Sequence, residues 1–148
     1  MRKDDRGFTI IEMMVVVMIG AILATIAMQS FQGVQGRAAA RTARNTFVSL
    51  HARTRANAIE RGQIVKLNID KGGDSVWITR GTTRVETVRF GGEDFGVDIQ
   101  GSGTLTLCMS PRGYAETACN SFNSTQTLVF EAGGDTARID MQTMGQLK

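Results

Sequence analysis

The stretch RGFTIIEMMVVVMIGAILATIAMQSF, residues 6–31, decides the fold of this 148-residue chain. From Phe8 to Phe31 nearly every residue is apolar, and Glu12 carries the only charge. A helix of about 24 residues is about 36 Å long, which exceeds the roughly 30 Å hydrocarbon core of a bilayer. The sequence therefore predicts a transmembrane helix over residues 8–31, with a carboxylate near its start.

The charge that follows this stretch is uneven. Residues 37–61 hold six Arg and one Glu, a net charge of +5, whereas residues 63–148 hold eight basic and ten acidic residues, a net charge of −2. The six arginines raise the hypothesis of nucleic-acid binding. We favour a solvated helix face, or contacts with acidic neighbours and anionic lipid headgroups near a bilayer.

An ordinary secretory signal is an alternative explanation of the N-terminus. Basic residues precede the apolar run, and small residues lie near positions 25–27. Against this alternative, Glu12 lies inside the apolar region, and the run is longer than the roughly 7–15 residues of a signal core. Three basic residues precede the helix and three follow it closely, so flanking charge does not set its orientation.

The N-terminal pattern resembles the class III signal of type IV pilins and type II secretion pseudopilins. A short charged leader ends in Gly7, Phe8 follows, and Glu12 is the fifth residue from Phe8, at the start of the long apolar helix. The resemblance implies that a prepilin peptidase cleaves between Gly7 and Phe8 on the cytoplasmic side. It also implies N-methylation of the new amine of Phe8, with residues 1–7 as a removed leader.

Within this resemblance Glu12 gains a physical role. Cleavage creates an ammonium group at Phe8, and water is excluded where apolar helices bundle in a filament. A carboxylate and an ammonium attract strongly at low effective dielectric, and either one alone would be disfavoured there. We expect Glu12 to set the axial register of an incoming subunit; the alternative is a carboxylate at headgroup level without a role.

The next segment, residues 32–62, is predicted to be an amphipathic helical stem. Gly33 and Gly36 should loosen or bend the helix, and Gly62 should end it. One apolar face has helical spacing; it comprises Ala43, Phe47, Leu50, Thr54 and Ala58. His51 has no second ligand-type residue at metal-binding spacing, so we expect a structural or exposed role. The whole helix should run from about Phe8 to Arg61.

Residues 63–148 change to the alternating pattern of β-strands. Strands are predicted at 65–69, 76–79, 84–90, 104–108, 127–131 and 137–141, with a hairpin turn at Lys71–Asp74. The predicted fold class is therefore α+β: a long N-terminal helix, transmembrane and then amphipathic, packed on an antiparallel β-sheet head.

The head resembles the pseudopilin H/FimT family, through the turn at residues 110–113 and a last strand followed by Gly145. Some FimT-like minor pilins bind DNA through basic residues after this glycine. Here Gln146 stands where an Arg is expected, Lys148 is the only basic residue after it, and the head is acidic. We therefore do not expect nucleic-acid binding.

The head offers few candidates for other chemistry. If it is exported, we expect a disulfide between Cys108 and Cys119 that contributes roughly 2–3 kcal/mol; the alternative is two unpaired thiols. Asp70 and Asp74 suggest a calcium loop but are more typical of a turn. Trp77 and Tyr114 are interpreted as core or rim packing. No enzyme motif is present, and no metal or cofactor is expected.

These observations predict a minor pseudopilin of the type II protein secretion system. It would be a single-pass inner-membrane protein with its head in the periplasm, a subunit of a pilus-like filament used in protein transport. Its expected partners are other pilin-like subunits, the prepilin peptidase and the inner-membrane assembly platform. The alternatives are a FimT-like minor pilin of a type IV pilus, for pilus assembly or DNA uptake, and a secreted enzyme or binding domain.

Overall fold

The computed structural model describes residues 9–92 and 95–148, and for residues 27–32 it describes the helical backbone without the side chains. A long N-terminal helix packs on antiparallel strands, which confirms the predicted α+β class.

Helix α1 spans Ile10–Arg61 and has 52 residues. It begins after Thr9, whose extended backbone and side-chain hydroxyl form an N-cap. It ends at Gly62, which has φ 61°, and the N–H groups of Gly62 and Gln63 donate to carbonyl oxygens of the last turn. This is a Schellman termination, and it confirms that Gly62 stops the helix.

The two glycines in the middle of α1 do not interrupt it, in agreement with the prediction of one long helix that ends near Arg61. The helix assignment is continuous through Gly33 and Gly36. A Cβ added to Gly36 would lie 2.6 Å from the carbonyl oxygen of Ala132, whereas one added to Gly33 would meet nothing within 4 Å. Gly36 therefore permits a close approach between the helix and a β-hairpin.

Seven strands follow in the described residues, and all their pairings are antiparallel. They are β1 Val65–Asp70, β2 Ser75–Arg80, β3 Thr83–Arg89, β4 Asp98–Ile99, β5 Thr104–Met109, β6 Gln126–Ala132 and β7 Asp135–Met141. They form two sheets, one ordered β3-β2-β1-β5 and one ordered β4-β6-β7.

Six strands and the first hairpin turn agree with the sequence predictions, and two features differ. The strands divide into two sheets, whereas a single sheet was expected. Strand β4, only two residues long, was not predicted because a segment this short has no detectable alternation.

The core lies between α1 and the inner faces of both sheets. The predicted apolar stripe is confirmed, since Ala43, Phe47, Leu50, Thr54 and Ala58 are all buried. Phe47 packs on Phe130 of β6, with ring centroids 5.9 Å apart. Phe90 lies on the other side of Phe130, with centroids 5.5 Å apart, so one aromatic cluster joins the helix to the second sheet.

Candidate functional site

The N-terminal part of α1 contacts nothing else in the described chain. We call residues 10–26 the apolar arm. Its large hydrophobic side chains are 50–86% exposed; they are Ile10, Ile11, Met13, Met14, Val15, Val16, Val17, Met18, Ile19, Ile22, Leu23 and Ile26. A continuous apolar surface of this kind marks an interaction site.

Among the residues that the structure describes, no helical stretch is long and apolar enough to cross a membrane. The predicted span 8–31 begins at Phe8, which is not described, and includes residues 27–31, whose side chains are not described. The predicted cleavage and methylation site, Gly7 and Phe8, also lies outside the described residues. These remain predictions.

Glu12 lies in the first turn of α1 and is exposed. Its backbone N–H donates to Oγ1 of Thr9 over 3.2 Å, and the N–H of Met13 donates to the carbonyl oxygen of Thr9. Thr9 and Glu12 thus have the Thr-x-x-Glu spacing of a capping box. A carboxylate in the first turn also favours the helix through the helix dipole. The Thr-x-x-Glu spacing is visible in the sequence and predicts this N-cap in addition to the assembly role expected of Glu12.

Beyond the arm, a hairpin of the head closes on the helix at Gly36. Gly36 is buried against the turn between β6 and β7. One helical residue further, Arg37 forms an ion pair with Asp135 over 3.0 Å. Arg44 donates to the carbonyl oxygen of Arg138 over 2.9 Å. These contacts fix the point at which the helix enters the folded domain.

Further along the stem, two more arginines also bind partners within the chain. Arg53 forms an ion pair with Glu86 of β3 over 2.6 Å, and Arg55 donates to the carbonyl oxygen of Gly113. Together with Arg37 and Arg44, four of the six stem arginines therefore contact the head. Two of these partners, Asp135 and Glu86, are acidic neighbours of the kind expected from the sequence.

His51 is buried on the packed side of the stem. Its Nε2 lies 3.0 Å from the carbonyl oxygen of Gly145, to which it donates in the Nε2–H tautomer. Burial lowers the pKa of His51, the hydrogen bond to Gly145 raises it in part, and the charge of Arg55 lowers it further. The neutral imidazole is thus a structural link between the stem and the last residues of the chain.

The residues after Gly145 fold back on strand β7. Leu147 forms a bridge with Met141, and the backbone of Lys148 exchanges two hydrogen bonds with Asp140, of 2.9 and 3.0 Å. The segment in which FimT-like proteins carry DNA-binding basic residues is therefore held by backbone pairing here, and its only basic side chain is Lys148.

Cys108 and Cys119 are joined as a disulfide in the structure, with Cα atoms 5.8 Å apart. The N–H of Cys108 donates to the side chain of Asn120 over 2.9 Å, and Asn120 in turn donates to the carbonyl oxygen of Thr143. The loop after β5 is therefore tied to the end of the chain. Formation of this bond in the cell remains a prediction.

The remaining candidates fall in turns or on the surface of the head. Asp70 accepts the N–H of Gly72 over 3.2 Å, as expected of a turn carboxylate. Asp74 accepts the N–H of Ile99 over 2.6 Å and so ties the first hairpin turn to β4. Tyr114 lies at the rim and accepts from Arg112 over 3.1 Å. Trp77 lies outside the core, half-buried on the outer side of the first sheet.

A family model described as the prokaryotic N-terminal methylation motif matches residues 2–28. The match includes Gly7, Phe8 and Glu12 and covers 27 of the 148 residues. No curated protein and no solved structure matches the chain. The N-terminus therefore carries a prepilin-type methylation motif, and a motif of this type implies processing by a prepilin peptidase and assembly with other pilins.

Proposed function

We propose that this type IV pilin-like chain is a minor pseudopilin of a type II protein secretion system. After cleavage between Gly7 and Phe8 and methylation of Phe8, it would join a periplasmic pilus-like filament as a structural subunit rather than an enzyme. The methylation motif at residues 2–28 supports the pilin-like part of this proposal. The head resembles the pseudopilin H/FimT family, and Gln146 stands where a DNA-binding FimT-like pilin is expected to carry an Arg, which favours the secretion system.

The observation that carries the proposal is the contrast within α1. The apolar arm has no partner in the described chain, whereas the stem is packed on two sheets. Twelve exposed large apolar side chains on one helix are unfavourable in water, because burying each of them would lower the free energy by roughly 1.5–3 kcal/mol. A bilayer first, and the helices of neighbouring subunits afterwards, would bury them.

In this proposal residues 8–31 anchor the precursor in the inner membrane, and the head lies in the periplasm. Glu12 is the only charged residue in this segment. Extraction by the inner-membrane assembly platform would then transfer the arm from lipid into the helix bundle of the filament. Both surroundings are apolar, so the hydrophobic effect neither favours nor opposes the transfer.

Glu12 would pair with the methylated ammonium of Phe8, either in the same chain or in a neighbour. Its place in the first helical turn, four residues from Phe8, keeps the carboxylate at the end of the arm. A pair of this kind favours one axial position of the subunit over others, because a slip along the bundle separates the charges. The two charges would compensate each other's desolvation.

Processing is tested by co-expressing the full chain with a prepilin peptidase and measuring the intact mass. The expected product begins at Phe8 and carries one extra methyl group. A mature chain that begins within residues 25–30 would instead mean ordinary secretory cleavage, and the pilin-type function would be wrong.

The role of Glu12 is tested by two substitutions that separate its charge from its part in the helix cap. Glu12→Gln keeps the capping-box spacing with Thr9 and removes the charge, whereas Glu12→Asp keeps the charge and shortens the side chain. We expect Glu12→Gln to be cleaved and inserted normally but to assemble at least about tenfold less, since an unpaired ammonium in an apolar bundle costs more than about 1.4 kcal/mol. Normal assembly of Glu12→Gln, measured as sheared filament protein, would contradict the register role.

The alternative is a minor pilin of a type IV pilus, and the same N-terminal motif supports it. A deletion strain distinguishes the two. Loss of exoprotein secretion with normal twitching and transformation is expected for the secretion role. The reverse result would favour the pilus role and leave the cleavage and Glu12 predictions unaffected.

A further inference from the structure

The stem and the strands of the head run between the same two ends of the folded domain. One end, which we call the proximal end, lies where Gly36 meets the turn between β6 and β7. The other, the distal end, lies where α1 stops at Gly62 and the chain enters β1. The antiparallel registers, and the hydrogen bond from Ile99 to Asp74, assign the remaining strand termini to these ends.

Charge is divided unequally between the two ends. Among the described residues, the distal end has six basic and two acidic side chains, a net charge of +4, and the proximal end has three basic and five acidic ones, a net charge of −2. The distal set is Arg55, Arg61, Lys66, Arg80, Arg84 and Arg112 with Glu60 and Glu116; the proximal set is Asp70, Asp74, Asp98, Glu131 and Asp135 with Arg37, Lys71 and Arg89. The two ends of one domain are therefore complementary in charge.

Three exposed apolar side chains lie at the distal end, among its cations. Ile59 is 54% exposed and lies against Gly113, in the loop after β5. Tyr114, the next residue of that loop, is 38% exposed. Ile64 is 43% exposed and directly precedes β1, which pairs with the strand that leads into the same loop. An apolar centre with a charged rim is the usual composition of a protein–protein interface.

The proximal end offers a concave surface. A groove of about 570 Å³ lies between α1 and the β6–β7 turn, and its walls include Gly33, Gly36, Gly96 and Gly133. Val34, which is 60% exposed, lies between two residues that line it. Asp98 and Glu131, paired across β4 and β6, each lie within two residues of the groove in sequence. The groove is therefore small-sided, partly apolar and edged by carboxylates.

We propose that the distal end of the head binds the proximal end of a second copy of this chain. The loop that carries Tyr114 would enter the groove, and the distal arginines would face Asp98 and Glu131. A second copy is the occupant that fits, because this chain itself supplies the opposite charge, the apolar side chain and the concave shape. A nucleic acid would satisfy the distal cations but not the acidic groove.

The two contacting surfaces differ, so the contact is heterologous and can repeat from one copy to the next. Such a contact would add subunits in a row, with every head in the same direction. It uses the folded domain alone. It therefore rests neither on cleavage after Gly7 nor on the secretion role, and each of these can fail without the other.

Self-association is measured by sedimentation velocity on the full chain. Non-ionic detergent is kept in excess, so that each micelle holds one arm and the heads remain free to meet. We expect reversible association that grows with protein concentration and weakens by at least about fivefold between about 50 and 500 mM NaCl, because salt screens exposed charges. Chain length and fold are unchanged across this range, so the salt effect reports the contact.

Two charge reversals and a matched control locate the contact. Arg112→Glu at the distal end and Asp98→Arg at the proximal end should each weaken association by about fivefold or more, since reversal replaces an attraction with a repulsion. All the altered side chains are exposed, so the fold should be retained. Arg138→Glu makes the same change within β7, away from both ends, and should alter association by less than about twofold.

Mixing the variants distinguishes contact between unlike ends from a general effect of charge. In an equimolar mixture, the acidic distal end of Arg112→Glu meets the basic proximal end of Asp98→Arg. We expect the mixture to associate within about threefold of wild type, although each variant alone does not.

Four outcomes would overturn the proposal. They are no salt-sensitive association of the wild type, equal losses from Arg112→Glu and Arg138→Glu, no loss from Asp98→Arg, and a mixture no stronger than its components. Saturable binding of an oligothymidylate that Arg112→Glu abolishes, together with no loss from Asp98→Arg, would assign the distal end to nucleic acid instead.

Discussion

Helix α1 has two halves with opposite surroundings although its backbone is one continuous helix. The arm exposes every large apolar side chain from Ile10 to Ile26, whereas the packed half, residues 36–61, buries one face and exposes mostly polar, charged or small residues on the other. The difference arises from side-chain pattern alone. The arm is apolar all round, as expected of a helix surrounded by lipid or other helices, and the packed half is amphipathic.

Helix α1 therefore contains residues that stabilise the folded domain and residues that act in insertion or assembly. Substitutions in the packed half should change the stability of the domain, while substitutions in the arm should change insertion or assembly and leave that stability unchanged.

The largest effect is expected from Phe47→Ala, which removes the side chain that joins the helix to Phe130 in the aromatic cluster. A buried Phe→Ala change costs about 3–5 kcal/mol. The free energy of unfolding of the full chain, measured in detergent by near-UV circular dichroism and denaturant, should fall by this amount. Val16→Ala in the arm is the matched control, with a change below about 0.5 kcal/mol; an equal loss for both would mean that the arm is part of the folded domain.

The second-largest change in stability is expected in the head, against which the packed half of α1 packs. Replacing both Cys108 and Cys119 with Ala, or reducing the bond, should cost roughly 2–3 kcal/mol, because the bond closes a loop of eleven residues. The midpoint of thermal unfolding with and without reductant measures it. An unchanged midpoint, with free thiols detected in protein purified without reductant, would show that the bond does not form.

A smaller change in stability is expected at Gly36, where the packed half of α1 begins. Gly36→Ala places a Cβ 2.6 Å from the carbonyl oxygen of Ala132 and should destabilise the domain by about 1–2 kcal/mol, after the gain in helix propensity is included. Gly33→Ala is the control, since nothing lies within 4 Å of its added Cβ. It should stabilise the helix by up to about 1 kcal/mol. If both substitutions changed the free energy of unfolding in the same direction, Gly36 would not be the point at which the helix contacts the head.

The smallest effect is a pH dependence within the packed half. Burial lowers the pKa of His51 below its ordinary value of 6.5, so the unfolded chain binds a proton more readily than the folded one. Stability should be complete above about pH 6.5 and fall as the pH drops through 6.5 towards the folded pKa. Denaturant midpoints of wild type and His51→Gln between pH 5 and 8 measure it. Identical slopes would exclude His51 as the source.

Much of the fold was predictable because its signals are local and periodic. The stem stripe from Ala43 to Ala58, the stop at Gly62 and the hairpin at Lys71–Asp74 each follow from spacing or from turn residues. The division into two sheets was not predictable, since it depends on which strands pair across the core. For β4 the two residues are too few to carry a pattern.

The candidate site was also predictable only in part. Glu12 and the prepilin-type signal could be identified from a short contiguous motif, which the family match supports. Gly36 was interpreted as a weak point because its partner, Ala132, is almost a hundred residues away in sequence. Trp77 was interpreted as packing because alternation alone does not say which face of a strand meets the helix.

The contact between Gly36 and Ala132 has a consequence for rotation as well as for distance. Gly36 is 26 residues after Ile10 on an unbroken helix, so the head is carried about 39 Å from the start of the arm. Each residue inserted between them would raise the head by about 1.5 Å and turn it by about 100°. A partner that holds the arm would then meet a different side of the head. Only insertions of nearly whole turns, such as about seven residues, would leave its orientation unchanged, so the length of the arm sets the direction in which the outer side of the four-stranded sheet points.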